Sequence, residues 1–431
     1  MTSPLRVSAN RRFLERENGT PFFYLGDTAW ELFHRPDRAD ADAYLADRAA
    51  KGFTVIQAVA LAEMDGIRTP NAYGQRPFVD EDPHQPNEAY WAHVDWVVRR
   101  ANALGLVIGL LPTWGDKWNK GQGPEIFTDT AVAQMYGKWI GARYRDADLV
   151  WILGGDRPLE TPLHREIIDA MAEGLAEGDG GIHLRSFHPV GGQSSIPLHD
   201  APWLDFHMWQ SGHTRNNDNG AQIAQTYALT PPKPCLDAEP GYEDHPASFD
   251  PSNGYLDEYD NRKALYWALF AGACGHTYGC HPIWQFASSE HTPISWCRHL
   301  WPEALHLPGS GQMRHGKALV LSRPYLSRVP APELIVSPKQ EGTHRPAAAR
   351  GEDDSYAFVY VPSNRSVTVD LGRLSGVSLN AWWFDPRSGT AESLGTIPRE
   401  GTHEFTPPAW GPDWVLCLDD AAKGYGRPGK D

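Results

Sequence analysis

Residues 106–116 have the sequence LVIGLLPTWGD, a run of apolar residues followed by the polar residues Thr113 and Asp116. A short apolar run of this kind indicates a strand that is buried on both faces, as in a parallel sheet. Similar runs recur along the chain as far as residue 279. They are residues 22–25, 54–59, 106–111, 149–153, 182–187, 204–209, 234–238 and 275–279. The pattern predicts eight strands.

Amphipathic helical patterns lie between these runs, at residues 39–50, 88–104, 128–144 and 258–273. Eight strands that alternate with helices over roughly 300 residues predict the α/β class and a (β/α)8 TIM barrel. The connection between the fifth and sixth runs is rich in Gly, Ser and Pro and shows no helical pattern. We therefore expect an irregular connection at that point.

A second domain is predicted at the C-terminus, because 431 residues exceed the ~250–300 that one hydrophobic core usually serves. Strand-like segments at 357–361, 367–371, 380–384 and 414–418 are separated by turn residues, which predicts a small antiparallel β-sandwich. The predicted division is a catalytic barrel at residues 1–330, a β-sandwich at 331–421 and a flexible tail at 422–431.

The overall composition excludes several classes of protein. Lys and Arg number 39 against 54 Asp and Glu, a net charge of −15, and no basic stripe is present, so nucleic acid is not an expected partner. The five cysteines include no C-x-x-C pair, which favours a reducing compartment. No apolar leader segment begins the chain and no run reaches the ~20 apolar residues of a membrane span, so we expect a cytoplasmic protein.

Cofactor motifs are also missing from the sequence. The 18 histidines show no ligand spacing, so no metal is expected. No G-x-G-x-x-G loop follows a strand, and neither a Walker loop nor a G-x-S-x-G elbow occurs, so no nucleotide cofactor and no serine triad is expected. The 48 aromatic residues (17 Trp, 16 Tyr, 15 Phe) include candidates for stacking on sugar rings, although most are expected to be core.

Two carboxyl groups stand out where predicted strands end, which is where TIM barrels place their active sites. Asp156 follows the fourth run and two glycines, and Glu239 follows the seventh run. Glycoside cleavage needs one carboxylic acid and one carboxylate on either side of the bond, so we predict Asp156 as general acid/base and Glu239 as nucleophile. The alternative for Asp156 is a helix N-cap. Alternation along the strand puts Asp237 on the same face as Glu239, so Asp237 remains an alternative nucleophile.

The other polar and aromatic residues near the strand ends are predicted to bind substrate. They are Asp27, Trp30, Gln57, Trp114, His188, Gln210, His213, Tyr242, Glu243, His276, Tyr278 and Trp284. Each has a structural alternative, such as a helix cap for Asp27 or core packing for a tryptophan.

The ordered set of short motifs resembles the apiosidase-like barrel of glycoside hydrolase family 140. It comprises LGDTAW at 25–30, LPTWGD at 111–116, GGD at 154–156, QSGH at 210–213, EPGYE at 239–243 and GHTYG at 275–279. The resemblance extends from about residue 5 to about residue 330, and the later β domain is similar to the collagen-binding-type domain often appended to that barrel.

The resemblance implies the same catalytic pair, Asp156 and Glu239, and release of terminal β-linked D-apiose from pectin fragments or apiosylated glycosides. The expected partner is thus a small oligosaccharide or glycoside. Two alternatives remain open: another furanosidase specificity, such as an arabinofuranosidase, and a carbohydrate-binding protein that has lost catalysis, with the β domain as a possible binding module.

Overall fold

The computed structural model describes residues 4–430, so Met1 to Ser3 and Asp431 of the predicted domains lie outside the described residues. The described chain begins with a small antiparallel sheet of three strands, β1 (Leu5–Val7), β2 (Leu14–Arg16) and β3 (Pro21–Phe22). The sequence did not predict this sheet. Its strands are only two or three residues long, too short to show alternation.

The barrel is built from the eight predicted strands. They are β4 (Tyr24–Thr28), β5 (Val55–Val59), β6 (Val107–Leu111), β7 (Leu149–Gly154), β8 (Arg185–His188), β10 (His207–Gln210), β11 (Cys235–Asp237) and β12 (Gly275–Tyr278). A short additional strand, β9 (Gln193–Ser194), lies between β8 and β10 in the sequence and is not one of the eight. The sheet order is β8-β7-β6-β5-β4-β12-β11-β10-β9, and all pairs are parallel except β9 with β10. The amide N of Asp205 donates to Arg185 O at 2.9 Å, and Ser186 Oγ donates to Phe206 O at 2.6 Å. These bonds join β8 to the start of β10, which confirms the predicted barrel.

Helices follow the barrel strands and cover their outer side. They are α1 (Arg38–Ala50), α2 (Glu88–Ala103), α3 (Thr130–Arg143), α4 (Pro162–Asp179), α5 (Asn219–Tyr227), α6 (Glu258–Phe270), α7 (His281–Trp284), α8 (Trp301–Ala304) and α9 (Pro308–Leu321). Asp or Thr side chains cap most of the long ones, as at Asp37 and Thr161. Between β8 and β10 the chain forms the short β9 and a 3-10 turn, Ile196–Leu198, in agreement with the irregular connection predicted there. Within residues 4–430, no helix has the length and apolar content needed to cross a bilayer.

The C-terminal domain is antiparallel, as predicted. Its strands are β13 (Arg328–Pro330), β14 (Ala347–Gly351), β15 (Tyr356–Val361), β16 (Val367–Asp370), β17 (Ser378–Asp385), β18 (Thr390–Pro398), β19 (Thr402–Phe405) and β20 (Trp414–Asp420). The sheet β13-β14-β15-β20-β17-β18 carries one face of a second hydrophobic core, and β16-β19 pairs across from it. Val359, Val369, Phe405 and Leu416 are buried in that core.

The β domain packs against the outer side of the barrel through α6. The rings of Tyr266 and Tyr360 stack with centroids 4.9 Å apart. Arg262 pairs with Asp413 at 2.8 Å, and both side chains are buried. A buried ion pair of this kind is strongly destabilising to break, because one charge is then left without its partner.

The last residues differ from the prediction of a flexible tail. The Tyr425 and Ser355 hydroxyls hydrogen-bond at 2.8 Å, and Gly426 O accepts from Arg323 at 3.0 Å. The sequence hides this docking because residues 422–430 are polar and carry no periodic pattern.

Candidate active site

The carboxyl end of β7 has an unusual backbone that aims Asp156 at the barrel mouth. Gly154, Gly155 and Asp156 have φ values of 92°, 108° and 53°, all in the left-handed region. A Cβ on Gly154 would lie 2.3 Å from His188 O, so only glycine fits against the neighbouring strand. Asp156 does carry a Cβ, and a left-handed Asp at the end of a barrel strand is the kind of strain that occurs at functional sites. Helix α4 begins later, with Thr161 as its N-cap, so Asp156 is not the helix cap.

Asp156 remains partly open to solvent, with 34% of its side chain exposed and its Oδ2 3.6 Å from Arg157 Nη1. Burial and the nearby negative charge of Glu239 raise the pKa of Asp156. The charges of His188 and Arg157 and a hydrogen bond from Gln210 act in the opposite direction without cancelling the rise. The net rise in pKa favours the protonated form of the Asp156 carboxyl group.

A β-bulge turns Glu239 toward the mouth at the end of β11. The amide N atoms of both Ala238 and Glu239 donate to Trp209 O, at 2.8 Å and 3.2 Å, so two residues face one partner. Asp237 accepts from Ser211 Oγ at 2.7 Å and from Asn219 Nδ2, on α5, at 2.9 Å. Asp237 thus faces the helical layer, and the expectation that it shares a face with Glu239 is wrong because the bulge resets the alternation.

Two histidines hold the Glu239 carboxylate. His188 Nε2 lies 3.0 Å from Oε2, and His213 Nε2 lies 3.3 Å from Oε1. The Tyr242 amide donates to His213 Nδ1 at 3.3 Å, which orients the ring with Nε2 toward Glu239. Burial would raise the pKa of Glu239, but the hydrogen bonds and charges of His188 and His213 outweigh it and lower the pKa to about 2.

Buried rings surround the two carboxyl groups. Trp30 packs on Trp114 and on His188, each with ring centroids 5.1 Å apart. Tyr242 packs on His213 at 4.4 Å, and burial together with the charge of Glu239 raises the pKa of its hydroxyl. The Tyr242 hydroxyl therefore keeps its proton and can donate it in a hydrogen bond. Trp30, Trp114 and Tyr242 are each at most 3% exposed, so these rings are buried beside the two carboxyl groups.

Asp27 and Gln57 do not reach the mouth, in contrast to the prediction. Asp27 is fully buried and accepts from Tyr44 at 2.6 Å and from Arg48 Nε at 2.5 Å, on the α1 side of the barrel. Gln57 lies inside the barrel, where it accepts from Tyr24 at 3.1 Å and donates to Ala238 O at 3.1 Å. Both sets of partners are structural, because strand residues alternate between the barrel interior and the helical layer.

Three more of the predicted binding residues, Glu243, Tyr278 and His276, face the helical layer. Glu243 accepts from the Tyr278 hydroxyl and from the Gly309 amide at the start of α9, and burial raises the pKa of Glu243 to about 7. His276 is 1% exposed, and burial lowers its pKa to about 3. Trp284 lies elsewhere, in α7 beyond the carboxyl end of β12, where its indole donates to His281 at 3.1 Å.

The sequence-based prediction missed Glu63, a half-buried residue beyond the end of β5. Burial raises the pKa of Glu63 well above its usual value, and the charges of Glu31, Asp156 and Asp116 add to the rise. Lys117 Nζ fixes the preceding backbone by donating to Ala62 O at 2.6 Å. The available signal was the position of Glu63 just past a strand end.

A row of histidines extends from His213 and was missed as well. The ring centroids of His213 and His245 are 4.2 Å apart, and those of His245 and His281 are 4.5 Å apart. Burial lowers the pKa of His245 to about 2 and that of His281 to about 4, so both rings are neutral near pH 7. Within the described chain, no three His, Cys, Asp or Glu side chains are grouped as metal ligands would be.

Comparison with known proteins identifies the family. Residues 8–327 match the family model described as "Apiosidase-like, catalytic domain". The chain belongs to this apiosidase-like family. The enzyme is accordingly a glycoside hydrolase. Residues 329–419 match a model described as "Putative collagen-binding domain of a collagenase".

Solved structures agree with this assignment. One described as "Glycoside hydrolase" is 34% identical to the enzyme, covers 98% of each chain and has a TM-score of 0.90. A glycoside hydrolase described as family 5, from Bacteroides vulgatus ATCC 8482, is 32% identical over 98% of the enzyme and 95% of its own chain, with a TM-score of 0.90. A family 5 mannosidase from Rhizomucor miehei, 12% identical, covers 74% of the enzyme and 97% of its own chain with a TM-score of 0.55, and shares the fold. No curated protein matches the chain.

Proposed function

We propose that the enzyme is an exo-acting glycosidase that releases a terminal pentofuranose by a two-carboxylate retaining mechanism. The sugar we favour is β-D-apiose, from plant pectin fragments or from apiosylated glycosides, because the chain belongs to the apiosidase-like family. The observation that carries the mechanism is the divergence of two neighbouring carboxyl groups. The pKa of Asp156 is raised, whereas that of Glu239 is lowered to about 2.

The direction of each pKa shift suits one role. The protonated Asp156 donates its proton to the glycosidic oxygen as the bond to the leaving group breaks. The ionised Glu239 attacks the anomeric carbon from the opposite face and forms a covalent glycosyl ester. We expect a single terminal sugar beside the two carboxyl groups, because the rings of Trp30, Trp114 and Tyr242 there are almost fully buried.

The coupling between the two groups supports the second half of the reaction. Part of the raised pKa of Asp156 comes from the negative charge of Glu239. Ester formation removes that charge, so the pKa of Asp156 falls once the intermediate exists. Asp156 then takes a proton from the water that attacks the ester, and both groups return to their starting states.

The test is release of free sugar from matched apiosides and arabinofuranosides by the wild type, Asp156→Asn, Glu239→Gln and Asp237→Asn. Asp237→Asn is the matched control, because Asp237 lies on the same strand as Glu239 but faces α5. We expect apiose release by the wild type and the control and its loss in the other two variants. Release of arabinose alone would replace the sugar assignment. Activity that survives in Asp156→Asn or Glu239→Gln would remove that residue from its role.

A further inference from the structure

Two exposed aromatic residues lie at the edge of the mouth on the Glu239 side. Phe249 is 54% exposed and Trp296 is 59% exposed, in contrast to the buried rings beside the carboxyl groups. The Phe249 ring contacts His213, with centroids 5.4 Å apart, and His213 in turn lies 3.3 Å from Glu239. Phe249 is therefore one side chain removed from the carboxylate that we assign as nucleophile.

Trp296 is joined to the same assembly through the histidine row. His281 Nε2 hydrogen-bonds to Ser295 O at 3.0 Å, directly before Trp296. The Tyr255 hydroxyl donates to Trp296 O at 3.2 Å, and Tyr255 belongs to the loop that carries Phe249. Both aromatic residues are thus joined to the row of histidines that extends from the catalytic centre.

The backbone holds both rings at a cost. Ser248 and Phe249 have φ values of 56° and 59°, and Ser295 and Trp296 have values of 54° and 56°. The Asp250 amide donates to Ala247 O at 3.3 Å, so Ser248 and Phe249 are the central residues of a turn that normally takes glycine or asparagine. Bulky residues seldom adopt this conformation, and two Ser-aromatic pairs adopt it at the same edge of the mouth.

We propose that Phe249 and Trp296 form a stacking subsite for a ring of the leaving group, beyond the terminal sugar. This proposal rests on the proposed exo-acting hydrolysis. In exo-acting hydrolysis the terminal sugar lies at the two carboxyl groups, so the remainder of the substrate extends outward, toward the exposed side chains at the edge of the mouth. The apolar face of a sugar ring or of an aryl group packs on an aromatic ring, and stacking of this type discriminates poorly between them.

The experiment compares three glycosides of the same pentofuranose: a disaccharide, a p-nitrophenyl glycoside and a methyl glycoside. The methyl group offers no ring, so it reports the chemistry without the subsite. We expect Phe249→Gly and Trp296→Ala each to lower kcat/KM by about tenfold for ring-bearing leaving groups, mainly through KM, and to leave the methyl glycoside unchanged. A larger loss for the disaccharide identifies a sugar ring, and a larger loss for the aryl glycoside identifies an aromatic aglycone.

Matched variants separate the ring from the backbone. Phe249→Gly relieves the left-handed turn while removing the ring, and Phe249→Tyr retains a ring and should keep wild-type kcat/KM. Trp410→Ala is the control for loss of an exposed aromatic, because Trp410 is 51% exposed on the β domain. Equal losses on all three glycosides, or wild-type rates in both Phe249→Gly and Trp296→Ala, would overturn the proposal.

A binding measurement keeps this test independent of the sugar assignment. If the wild type releases pentose from none of the glycosides, the proposed function fails, and calorimetry with cellobiose and with phenyl β-glucoside then tests the subsite alone. Binding of either compound to the wild type that is lost in Phe249→Gly and Trp296→Ala supports the subsite. Absence of binding to the wild type, or binding that both variants retain, contradicts it.

Discussion

The ends of β7 and β11 each turn a carboxyl group toward the barrel mouth, but they do so by different backbone conformations. At β7, two glycines and a left-handed aspartate turn the chain, and Asp156 remains 34% exposed. At β11, a bulge turns the chain, and Glu239 is 5% exposed between two histidines. Burial alone would raise the pKa of both groups, so it is the histidines that reverse the direction at Glu239. Neighbouring side chains, rather than residue type, therefore determine which carboxyl group suits the role of proton donor and which that of nucleophile.

The largest expected effects come from replacing the two carboxyl groups, and the two variants should differ in how their rates depend on the leaving group. Glu239→Gln should lower kcat by about 10⁴-fold or more on every substrate, because no covalent intermediate forms. Asp156→Asn should lower kcat/KM, which reports cleavage of the glycosidic bond, by about 10²–10⁴-fold on a disaccharide and far less on a p-nitrophenyl glycoside, whose leaving group needs no proton. Steady-state rates on both substrates give the answer. The same leaving-group dependence in both variants would mean that the two roles are not distinct.

A substitution at Gly155 should distort the turn at the end of β7, and the same substitution at Gly212 serves as the matched control. A Cβ on Gly155 would lie 2.8 Å from Gly115 N, so Gly155→Ala must displace the backbone that carries Asp156. We expect kcat to fall by about 10²-fold. Gly212, beyond the end of β10, has φ 89°, but a Cβ added there would meet no atom within 4 Å, so Gly212→Ala should cost only about 1 kcal/mol of stability. Equal kcat values in the two variants would show that the turn does not position Asp156.

His188 and His213, the two histidines beside Glu239, should control the acid limb of the pH profile of kcat/KM. Glu239 must be ionised to react, and its pKa of about 2 keeps it ionised across the working range. His213→Ala removes one partner while burial persists, so the pKa should rise and kcat/KM at pH 4 should fall by about tenfold more than at pH 7. His276→Asn, a buried histidine that faces the helices, should leave the limb in place. An acid limb unmoved in His213→Ala would contradict the assignment.

A third buried carboxyl group, Glu243, shows how burial changes a pKa where no histidine of the described chain lies beside the carboxylate. Burial raises the pKa of Glu243 to about 7, so the folded state holds a proton that the unfolded state has lost. This contribution to stability is complete below the unfolded pKa of about 4.5 and is lost as the pH rises through about 7. Glu243→Gln should flatten the decline of Tm between pH 5 and pH 8, as measured by calorimetry. An identical decline in both proteins would contradict the raised pKa.

The fold could be predicted from the sequence because buried parallel strands are continuous apolar runs. All eight barrel strands occur where the runs from residues 22–25 to 275–279 predict them. The strands β1 to β3 and β9 could not be predicted, because two or three residues carry no periodicity. The docking of residues 422–430 depends on single hydrogen bonds to distant residues, such as Ser355 to Tyr425, which leave no local pattern.

The site was predictable only in part, because side chains at a strand end face either the barrel mouth or the helical layer. Asp27, His276 and Tyr278 follow apolar runs but face the helical layer, and nothing in their local sequence distinguishes the sides. The alternation rule fails between Asp237 and Glu239 because a bulge depends on partner geometry across the sheet. Glu63, His213 and His245 lie in loops and His281 begins the short α7, and between such segments sequence spacing does not determine spatial distance.

The most direct test of distinct roles is to identify the residue that carries the sugar. In Asp156→Ala, a p-nitrophenyl glycoside still forms the intermediate, but its hydrolysis lacks a general base, so the glycosyl enzyme accumulates. Rapid acid quench, proteolysis and mass spectrometry then locate the adduct. We expect one pentosyl group on the peptide that contains Glu239. An adduct on another residue, or a burst of p-nitrophenol without any adduct, would contradict the assignment of Glu239 as nucleophile.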